Sequence, residues 1–207
     1  MFALIDNQQI TKFYSGNRGV TLGDIQYPKS IFTLWSESER NAIGIYEVTV
    51  DTTNKKDEAY YTNTNVSYGV ESNKAVGSYG TATPKLLEDR NEVDEDGEPL
   101  LDDNGNQVVT KGLKSQKKDI IKQQASGLLE PTDWYNHKAL DDETFTIPAN
   151  ITTYRANVRT KSNTMETAID NASDVDALAT LYQYVNTGTE ENPVMERPLG
   201  EFPTLEI

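Results

Sequence analysis

The first 83 residues carry short runs in which apolar and polar side chains alternate, a pattern typical of β-strands. The segment FALIDNQQITKFY holds two such runs separated by the turn pair Asp6 and Asn7, which predicts a β-hairpin. Residues 43–50 show the clearest alternation, and residues 30–35 are a further strand candidate. The segments AYYTN, NVSYGV and KAVGSYG are shorter, rich in tyrosine and interrupted by turn residues. We therefore expect a small β-sheet domain at the N-terminus.

One short helix is predicted inside this region. Ser36 and Glu39 have the spacing of a capping box, in which each side chain accepts a hydrogen bond from the other residue's backbone amide. Gly44 can adopt the left-handed conformation that ends a helix. We expect Trp35 and Ile43 to pack this helix onto the sheet, and we favour that structural role for Trp35 over one as a sugar-stacking platform.

An acidic segment follows at residues 87–106, with the sequence LEDRNEVDEDGEPLLDDNGN. Arg90 is its one basic residue, and Asn104-Gly105 before QVVT is a strong hairpin signal. The nine acids are Glu88, Asp89, Glu92, Asp94, Glu95, Asp96, Glu98, Asp102 and Asp103. This composition predicts an exposed hairpin or connector.

The remaining third shows helical spacing of its apolar residues. Residues 111–128 predict a basic helix, whose apolar side consists of Leu113, Ile120, Ile121, Ala125 and Leu128. A second helix is expected to begin at Pro148, a residue favoured in a first helical turn. Its apolar stripe consists of Ile151, Tyr154, Val158, Met165 and Ile169.

A third helix is predicted to begin at Ser173, to use Asp176 in a capping box and to end at Gly188. The last residues hold Pro193, Pro198 and Pro203, which predicts an extended arm. The expected fold is therefore α+β, with a β-rich domain at 1–84 and an acidic connector or hairpin at 85–111. A helical domain at 112–187 follows, either an antiparallel helical hairpin or a three-helix unit, and then the arm at 188–207.

Composition and charge exclude several classes of function. The formal charge of −14 opposes binding to nucleic acid and to anionic membranes, both of which require basic residues. The absence of cysteine excludes disulfides and thiolate chemistry. No apolar run approaches the about 18 residues that span a bilayer, and no basic leader follows Met1. We expect a soluble protein that is made in a cytoplasm. Because hydrophobic residues make up 36% of the chain, we also expect it to depend on partner chains.

Catalysis is not expected. His137 is the single histidine, and we place it in a solvated loop after Trp134, without a nucleophile motif nearby. Glycine-rich phosphate-binding motifs are absent from the sequence, so no cofactor is predicted. Paired carboxylates could hydrolyse glycosides, but a chain with 33 acids nominates no particular pair.

Calcium is the one metal for which the sequence offers candidate ligands. Glu92, Asp94, Asp96 and Asp103 approximate the spacing of an EF-hand loop. The first position is Glu instead of Asp, Pro99 falls inside the loop, and Asp103 is shorter than the usual bidentate Glu. A solvated acidic hairpin is therefore favoured over a calcium site.

The segment from LLEPTDW to YRANVR is expected to form the bend of the helical hairpin, with Trp134 as an apolar plug. Arg155 and Arg159 lie one turn apart on the second helix and are expected on its surface. We expect both arginines to meet an acidic partner or the chain's own acidic segment.

Two segments carry a resemblance to a known family. LLEPTDW followed by YRANVR resembles the C-terminal segment of phage tail assembly chaperone-like proteins, in which LL..TDW precedes a proline-containing loop and a helix with YR..LR. Residues 27–48 are similar to the start of tail-fibre-associated proteins of marine tailed phages. The matching positions are Leu128, Leu129, Thr132, Asp133, Trp134, Pro148, Tyr154, Arg155 and Arg159. Where the family tends to end in Trp-Pro, this chain has Phe202-Pro203.

The resemblance implies a non-enzymatic structural component of a bacteriophage tail, a fibre- or baseplate-associated adaptor located in the virion. Its implied partners are other tail proteins, in a homo-oligomer or multi-copy assembly, with Trp134, Arg155, Arg159 and Phe202 as contact residues. Two alternatives stay open. One is a tail-fibre assembly chaperone that leaves before the virion matures. The other is a receptor- or glycan-binding module that uses the tyrosines between Tyr60 and Tyr79.

Overall fold

The structure is a computed structural model that describes residues 1–205 and divides into two compact units. Unit 1 is Met1–Thr83, and unit 2 begins at Pro84. Strands dominate unit 1 and helices dominate unit 2, so the predicted α+β class is confirmed.

The first 84 residues contain nine strands, a 3₁₀ helix at Lys29–Phe32 and helix α1 at Glu37–Ala42. The strands are β1 (Phe2–Asp6), β2 (Gln9–Tyr14), β3 (Val20–Leu22), β4 (Ile25–Tyr27), β5 (Ile45–Asp51), β6 (Tyr61–Thr62), β7 (Ser67–Glu71), β8 (Lys74–Ser78) and β9 (Thr83–Pro84). Five of them form one sheet in the order β2-β1-β5-β8-β7, in which the β5–β8 pair is parallel and the others are antiparallel.

This sheet is curled, because its two edge strands contact each other. The rings of Phe13 on β2 and Tyr68 on β7 meet edge to face, with 5.0 Å between their centres. Gln8 Nε2 donates a hydrogen bond to Asn73 Oδ1 over 2.8 Å, which joins the turns before β2 and β8. Contact between the edges shields strands that would otherwise be free to pair with other chains.

The predicted hairpin of β1 and β2 is confirmed, with its turn one residue further along the chain than expected. The left-handed residues are Asn7 and Gln8, at φ 50° and 62°. Ser72 and Asn73, at φ 49° and 60°, repeat this arrangement between β7 and β8. Two consecutive residues with positive φ form the turn whose twist matches that of antiparallel strands.

The core of unit 1 explains why residues 30–35 do not form the predicted strand. Ile31 and Phe32 are adjacent, yet both are buried in one cluster with Ile45 and Val20. Neighbouring side chains of a strand point to opposite faces, whereas a 3₁₀ turn can direct both to one core. Trp35 and Ile43, which flank α1, pack against the same cluster. The structural role predicted for Trp35 is therefore confirmed.

Helix α1 has the predicted capping box. Ser36 Oγ accepts a hydrogen bond from the Glu39 amide at 3.3 Å, and Glu39 Oε2 accepts one from the Ser36 amide at 2.7 Å. Gly44 follows the helix at φ +80°, a conformation in which a side chain would be strained.

The elements of unit 2 are two strand pairs and four α-helices, with a 3₁₀ turn at Glu130–Thr132. They are β10 (Arg90–Asn91), β11 (Val109–Thr110), α2 (Leu113–Leu129), α3 (Asp133–Asp141), α4 (Ala149–Asp170), α5 (Val175–Thr180), β12 (Val185–Asn186) and β13 (Met195–Glu196).

Helices α2 and α4 pack antiparallel. Lys118 near the start of α2 pairs with Asp170 at the end of α4, and Tyr154 near the start of α4 bonds to Leu128 near the end of α2. All five residues of the predicted α4 stripe are buried. The predicted α2 stripe is wrong at Ile120, which is 45% exposed. Leu113, Ile121 and Ala125 are spaced eight and four residues apart and share one helical face, whereas Ile120 lies off that face on the solvent side.

The third predicted helix is shorter than expected. Asp174, instead of Ser173, caps α5, since its carboxylate accepts a hydrogen bond from the Ala177 amide at 2.8 Å. The helix ends at Thr180 instead of Gly188. Leu181 beyond it accepts a backbone bond from Leu199, so the chain is held by a non-local partner there.

The C-terminal segment, predicted as an extended arm at 188–207, packs on unit 2 and makes a turn at Pro198 and Leu199. Residues 206 and 207 of the predicted arm lie outside the described residues. Leu199 is 2% exposed, and β13 pairs with β12. Phe202 and Leu205 pack on a cluster built from α2 and α4.

Asp89 holds the start of α2 through bonds to Gly112 and Ser115, while the first two helical amides, of Leu113 and Lys114, donate to the carbonyls of Leu86 and Leu87. One Asp89 carboxylate oxygen accepts the Gly112 amide at 2.8 Å, and the other accepts the Ser115 hydroxyl at 2.9 Å. These bonds stabilise the ionised carboxyl and hold its pKa below the ordinary value.

Asp89→Ala is expected to lower the melting temperature, while Asp89→Asn, which keeps an acceptor oxygen, retains most of the stability. Because the folded-state pKa is depressed, this contribution is present above the ordinary aspartate pKa of about 3.9 and is lost as the pH falls through the lower, folded-state pKa. Thermal melts of both variants at neutral and acidic pH measure it. A deficit in Asp89→Ala that persists unchanged at acidic pH contradicts the assignment to the carboxylate.

Candidate partner-binding surface

The chain bends sharply between α2 and α3, at the LLEPTDW segment. Pro131 has no amide hydrogen to donate to the preceding turn, so the α-helix gives way to the short 3₁₀ turn there. The Thr132 hydroxyl donates to the Leu129 carbonyl at 2.8 Å, which satisfies one of the carbonyl groups that the helix end leaves free.

Arg155 of α4 fixes this bend from the opposite helix. Its Nη1 donates to the Leu129 carbonyl at 2.8 Å and to the Thr132 hydroxyl at 2.5 Å. Its Nη2 donates to Asp133 Oδ1 at 2.6 Å, in an ion pair that also anchors the first residue of α3. The neighbouring Tyr154 donates its hydroxyl proton to the Leu128 carbonyl at 3.2 Å. We call these residues (Leu128, Leu129, Thr132, Asp133, Tyr154 and Arg155) the corner latch.

The corner latch changes the predicted role of Arg155. We expected Arg155 on the surface, but it is 7% exposed and its donors are directed at groups of its own chain. The predicted surface position is wrong, because a buried guanidinium needs these local acceptors to offset its lost hydration. Contact of Arg155 with a partner chain stays a prediction. Arg159, one turn further, is exposed and makes only a long 3.5 Å bond to the Arg155 carbonyl, without an ion pair among the described residues. It remains a candidate contact residue.

Phe202 does not offer the free ring that was expected. It is half-buried and packs on Ala125, Tyr154 and Val158, so most of its apolar surface is already covered by its own chain. Its role in the structure is to hold the C-terminal segment against α2 and α4.

Trp134 is not a plug, because its side chain is 50% exposed. The loop predicted after it is helix α3, so His137 lies exposed on a helix instead of in a loop. Tyr135 stacks on Trp134 with 3.8 Å between ring centres, and the Phe145 ring centre lies 6.4 Å from that of Trp134. We call Trp134, Tyr135 and Phe145 the aromatic corner.

Local hydrogen bonds bring Phe145 back to the helix. The Asp142 carboxylate accepts from the Thr144 amide at 3.0 Å and from its hydroxyl at 2.6 Å, and the Phe145 amide donates to the Asp142 carbonyl at 3.0 Å. The two bonds from Thr144 hold the pKa of Asp142 below its ordinary value. Lys138 lies over the Phe145 ring, with 4.4 Å between its Nζ and the ring centre. The exposed indole of Trp134 therefore packs beside a Phe145 ring whose turn is fixed by local hydrogen bonds.

The aromatic corner combines two properties of protein-binding hot spots. Tryptophan and tyrosine bury large areas at low conformational cost, and they dominate the energetics of many interfaces. The corner latch fixes the start of α3, so little ordering would be needed on binding. Leu140, which is 80% exposed on the same helix, adds further uncovered apolar area. The sequence prediction did not include Tyr135 and Phe145. The features that could have indicated them are the adjacent aromatic pair Trp134-Tyr135 and the D-x-T turn at 142–144.

Among the calcium candidates Glu92, Asp94, Asp96 and Asp103, Asp94 is a turn former and Glu92 pairs with Arg90. One Asp94 carboxylate oxygen accepts the amides of Asp96 and Glu98, at 3.0 and 2.9 Å. Within residues 1–205, no three acids or histidines are placed so that they could hold a metal ion together. The arrangement thus assigns Asp94 to the turn, and the backbone amides occupy the oxygen that the EF-hand spacing offered to calcium.

The tyrosines between Tyr60 and Tyr79 do not form a shared platform. Tyr60 is 6% exposed, Tyr68 packs against Phe13, and the Nζ of Lys55 lies over the Tyr79 ring at 5.8 Å. Sugar stacking needs an open ring face, which these contacts restrict.

Comparison with known proteins finds no matching family model, no matching curated protein and no matching solved structure. None of the helices described between residues 1 and 205 has the length and apolar character needed to cross a bilayer. Any functional inference therefore depends on the chain's own residues.

Proposed function

We propose that this chain is a non-enzymatic structural component of a bacteriophage tail, an adaptor that binds other tail proteins at the fibre or baseplate. The observation that carries the proposal is the exposed aromatic corner on the corner latch. Six of the nine positions on which the family resemblance rests are the residues of that latch. A seventh, Trp134, is the exposed residue that the latch supports.

The combination of a fixed bend and an exposed aromatic side chain favours binding over catalysis. The residues of the corner latch hold the bend in place, and the Trp134 side chain beside them is half-exposed. Half-exposed tryptophan costs hydration free energy in the isolated chain, and a partner surface removes that cost. An adaptor needs such a surface, whereas an enzyme needs convergent polar groups in a cleft.

Whether the adaptor stays in the particle is decided by mass spectrometry of gradient-purified virions. We favour a virion component, so the polypeptide should co-sediment with tails in fixed stoichiometry. Its presence in infected-cell lysate combined with its absence from purified particles would instead identify a transient assembly chaperone. Absence of any association with tail proteins in the lysate would contradict both roles.

Trp134→Ser is expected to reduce incorporation of the chain into particles by about tenfold or more, since truncated aromatic anchors commonly cost at least that much affinity. The free energy of unfolding should change by less than about 0.5 kcal/mol, because the residue is half-exposed. Quantitative mass spectrometry of complemented particles measures incorporation, and urea unfolding monitored by circular dichroism measures stability.

Leu34→Ser is the matched control, because Leu34 is 81% exposed and belongs to unit 1, whereas the aromatic corner belongs to unit 2. It should leave incorporation unchanged. If Trp134→Ser particles carry the normal copy number, the aromatic corner is not the contact surface.

A further inference from the structure

Residues 90–110 of the acidic segment form a stem, the β10–β11 pair, that encloses two short hairpins, and the three meet at one point. Counting the stem, we call this element the three-hairpin junction. Next to the meeting point the stem is closed by the pair Asn91 with Val109, and the two hairpins are closed by Val93 with Pro99 and by Leu101 with Gln107.

The meeting point is a closed ring of backbone hydrogen bonds. The amide of Leu100 donates to the Glu92 carbonyl at 3.0 Å, Val108 donates to Leu100 at 2.8 Å, and Glu92 donates to Val108 at 2.9 Å. The side-chain amide of Gln107 donates to all three of these carbonyl groups, at 2.7 to 3.1 Å. Successive members are eight residues apart, so the ring has an approximate threefold symmetry.

The two short hairpins repeat each other in detail. Asp94 and Asp102 each accept two amides of their own turn through one carboxylate oxygen, and Gly97 and Gly105 supply the positive φ, at 86° and 79°. The sequence shows this as DEDGEPLL followed directly by DDNGNQVV. Because short Asx turns fix both hairpins, the junction is a preorganised surface.

The residue that follows each ring position is apolar and exposed. Val93 is 56% exposed, Leu101 is 55% exposed and Val109 is 44% exposed. These three residues occupy equivalent positions, each directly after one member of the ring. We call them the apolar triangle. Apolar side chains clustered on an ordered element mark an interaction surface more often than scattered ones do.

The charge around the apolar triangle defines the partner. Residues 91–110 contain seven acids and neither lysine nor arginine. Glu92 pairs with Arg90 at 2.9 Å, and the other six acids make no ion pair among the described residues. Nucleic acid and anionic lipid are repelled by such a surface, and a second copy of a chain with charge −14 is disfavoured as well.

We propose that the three-hairpin junction docks onto a lysine- or arginine-rich protein surface that bears apolar side chains. The apolar triangle would be buried at the centre of the contact, and the acidic hairpin tips would form its rim, the usual arrangement of polar and apolar groups at an interface. This inference rests on the proposed function as an adaptor and names a second contact surface with its own partner chemistry.

The test uses the full chain and short synthetic peptides as probes. One peptide carries lysine and leucine, a second carries lysine and serine, and a third carries glutamate and leucine. Isothermal titration calorimetry should show binding of the lysine-leucine peptide about tenfold or more tighter than that of the lysine-serine peptide, with affinity falling as salt rises. Equal binding of the two lysine peptides would mean nonspecific attraction to an acidic chain and would overturn the proposal.

Two variants locate the binding. Replacing the apolar triangle with serine should weaken the lysine-leucine peptide about tenfold or more, to the level of the lysine-serine peptide. The control is the double variant Ile25→Ser with Leu34→Ser, which alters exposed apolar residues of unit 1 and should bind as the wild type does. Unchanged binding by the serine triangle would place the site elsewhere.

A charge variant tests the rim without disturbing the turns, because it keeps Asp94 and Asp102. It changes only acids that make no hydrogen bond through their side chains among the described residues, namely Glu95→Gln, Asp96→Asn, Glu98→Gln and Asp103→Asn. It should lose about tenfold or more in affinity and most of the salt dependence. This variant keeps the test decisive if the serine triangle fails to fold, and an unaltered affinity would contradict the proposal.

The two proposals fail separately. If virions contain the chain but the peptides show no preference for the junction, the docking surface is wrong and the adaptor role stands. If the junction binds as expected while virions and tail proteins lack the chain, the tail assignment is wrong and the docking chemistry stands.

Discussion

Replacing Arg155 with methionine is expected to lower the free energy of unfolding of unit 2 by about 2–4 kcal/mol. The side chain of Arg155 is 8% exposed, and the substitution removes three hydrogen bonds that it donates across the bend. The Leu129 carbonyl and the Thr132 hydroxyl then lose a donor at a partly buried site. Asp133 loses its ion pair, although its 49% exposure lets water replace part of that interaction.

Arg159→Met is the matched control for this prediction. It changes the same residue type on the same helix, one turn away, where the guanidinium is exposed and weakly bonded. Its effect should stay within about 0.5 kcal/mol. Urea unfolding of both variants, monitored by circular dichroism at the helical band, gives the comparison. Equal stability of the two variants would show that the corner latch is not a determinant of the fold.

Features that are local or that repeat along a single helix could be predicted from the sequence. The α4 stripe was predicted at all five positions, because apolar side chains spaced three, four and seven residues apart can share only one helical face. The capping box at Ser36 and Glu39 was predicted for a related reason, since both partners lie within four residues. In both cases the decisive contacts are local or periodic.

The candidate site was predicted less well, because its decisive contacts are long-range. Arg155 lies 22 residues from Asp133, and no pattern in the sequence indicates that these two charges meet. An arginine on a helix is ordinarily exposed, so the surface prediction followed the usual behaviour of the residue. Tryptophan is ordinarily largely buried, so Trp134 was predicted as an apolar plug. Its exposure depends on α3, which forms where a polar loop was predicted.

The three-hairpin junction lies between these cases. The hairpin around Asn104-Gly105 was predicted from that turn pair alone, whereas the eight-residue repeat of DEDGEPLL and DDNGNQVV was not predicted. The repeat is too short to suggest a solenoid, and nothing in it shows that the backbone closes into a ring. That closure depends on Gln107, whose side chain reaches carbonyl groups up to 15 residues away.

Gly112→Ala is expected to destabilise unit 2 by about 2–3 kcal/mol, which is large for the addition of one methyl group. A Cβ at this position would lie closer than 3.0 Å to the Glu88 carbonyl group and to the Leu87 carbonyl oxygen. Backbone atoms cannot turn aside as a flexible side chain can, so the segment before the three-hairpin junction has to move. That segment is held there by Leu113, whose amide donates to the Leu86 carbonyl at 2.8 Å, and by Asp89, which accepts the Gly112 amide.

Gly127→Ala on the same helix should have the opposite sign and stabilise unit 2 by about 0.5–1 kcal/mol. No atom lies within 4 Å of the added Cβ, and alanine has the higher helix propensity. Urea unfolding followed by circular dichroism at the helical band compares the two variants. Gly112 is the N-cap residue of α2, where alanine itself costs about 0.5–1 kcal/mol relative to glycine, so only a loss larger than that reports the close approach of residues 87–88. Equal effects at both glycines would mean that this approach does not fix the start of α2, and hence that the junction is not rigidly joined to the helices.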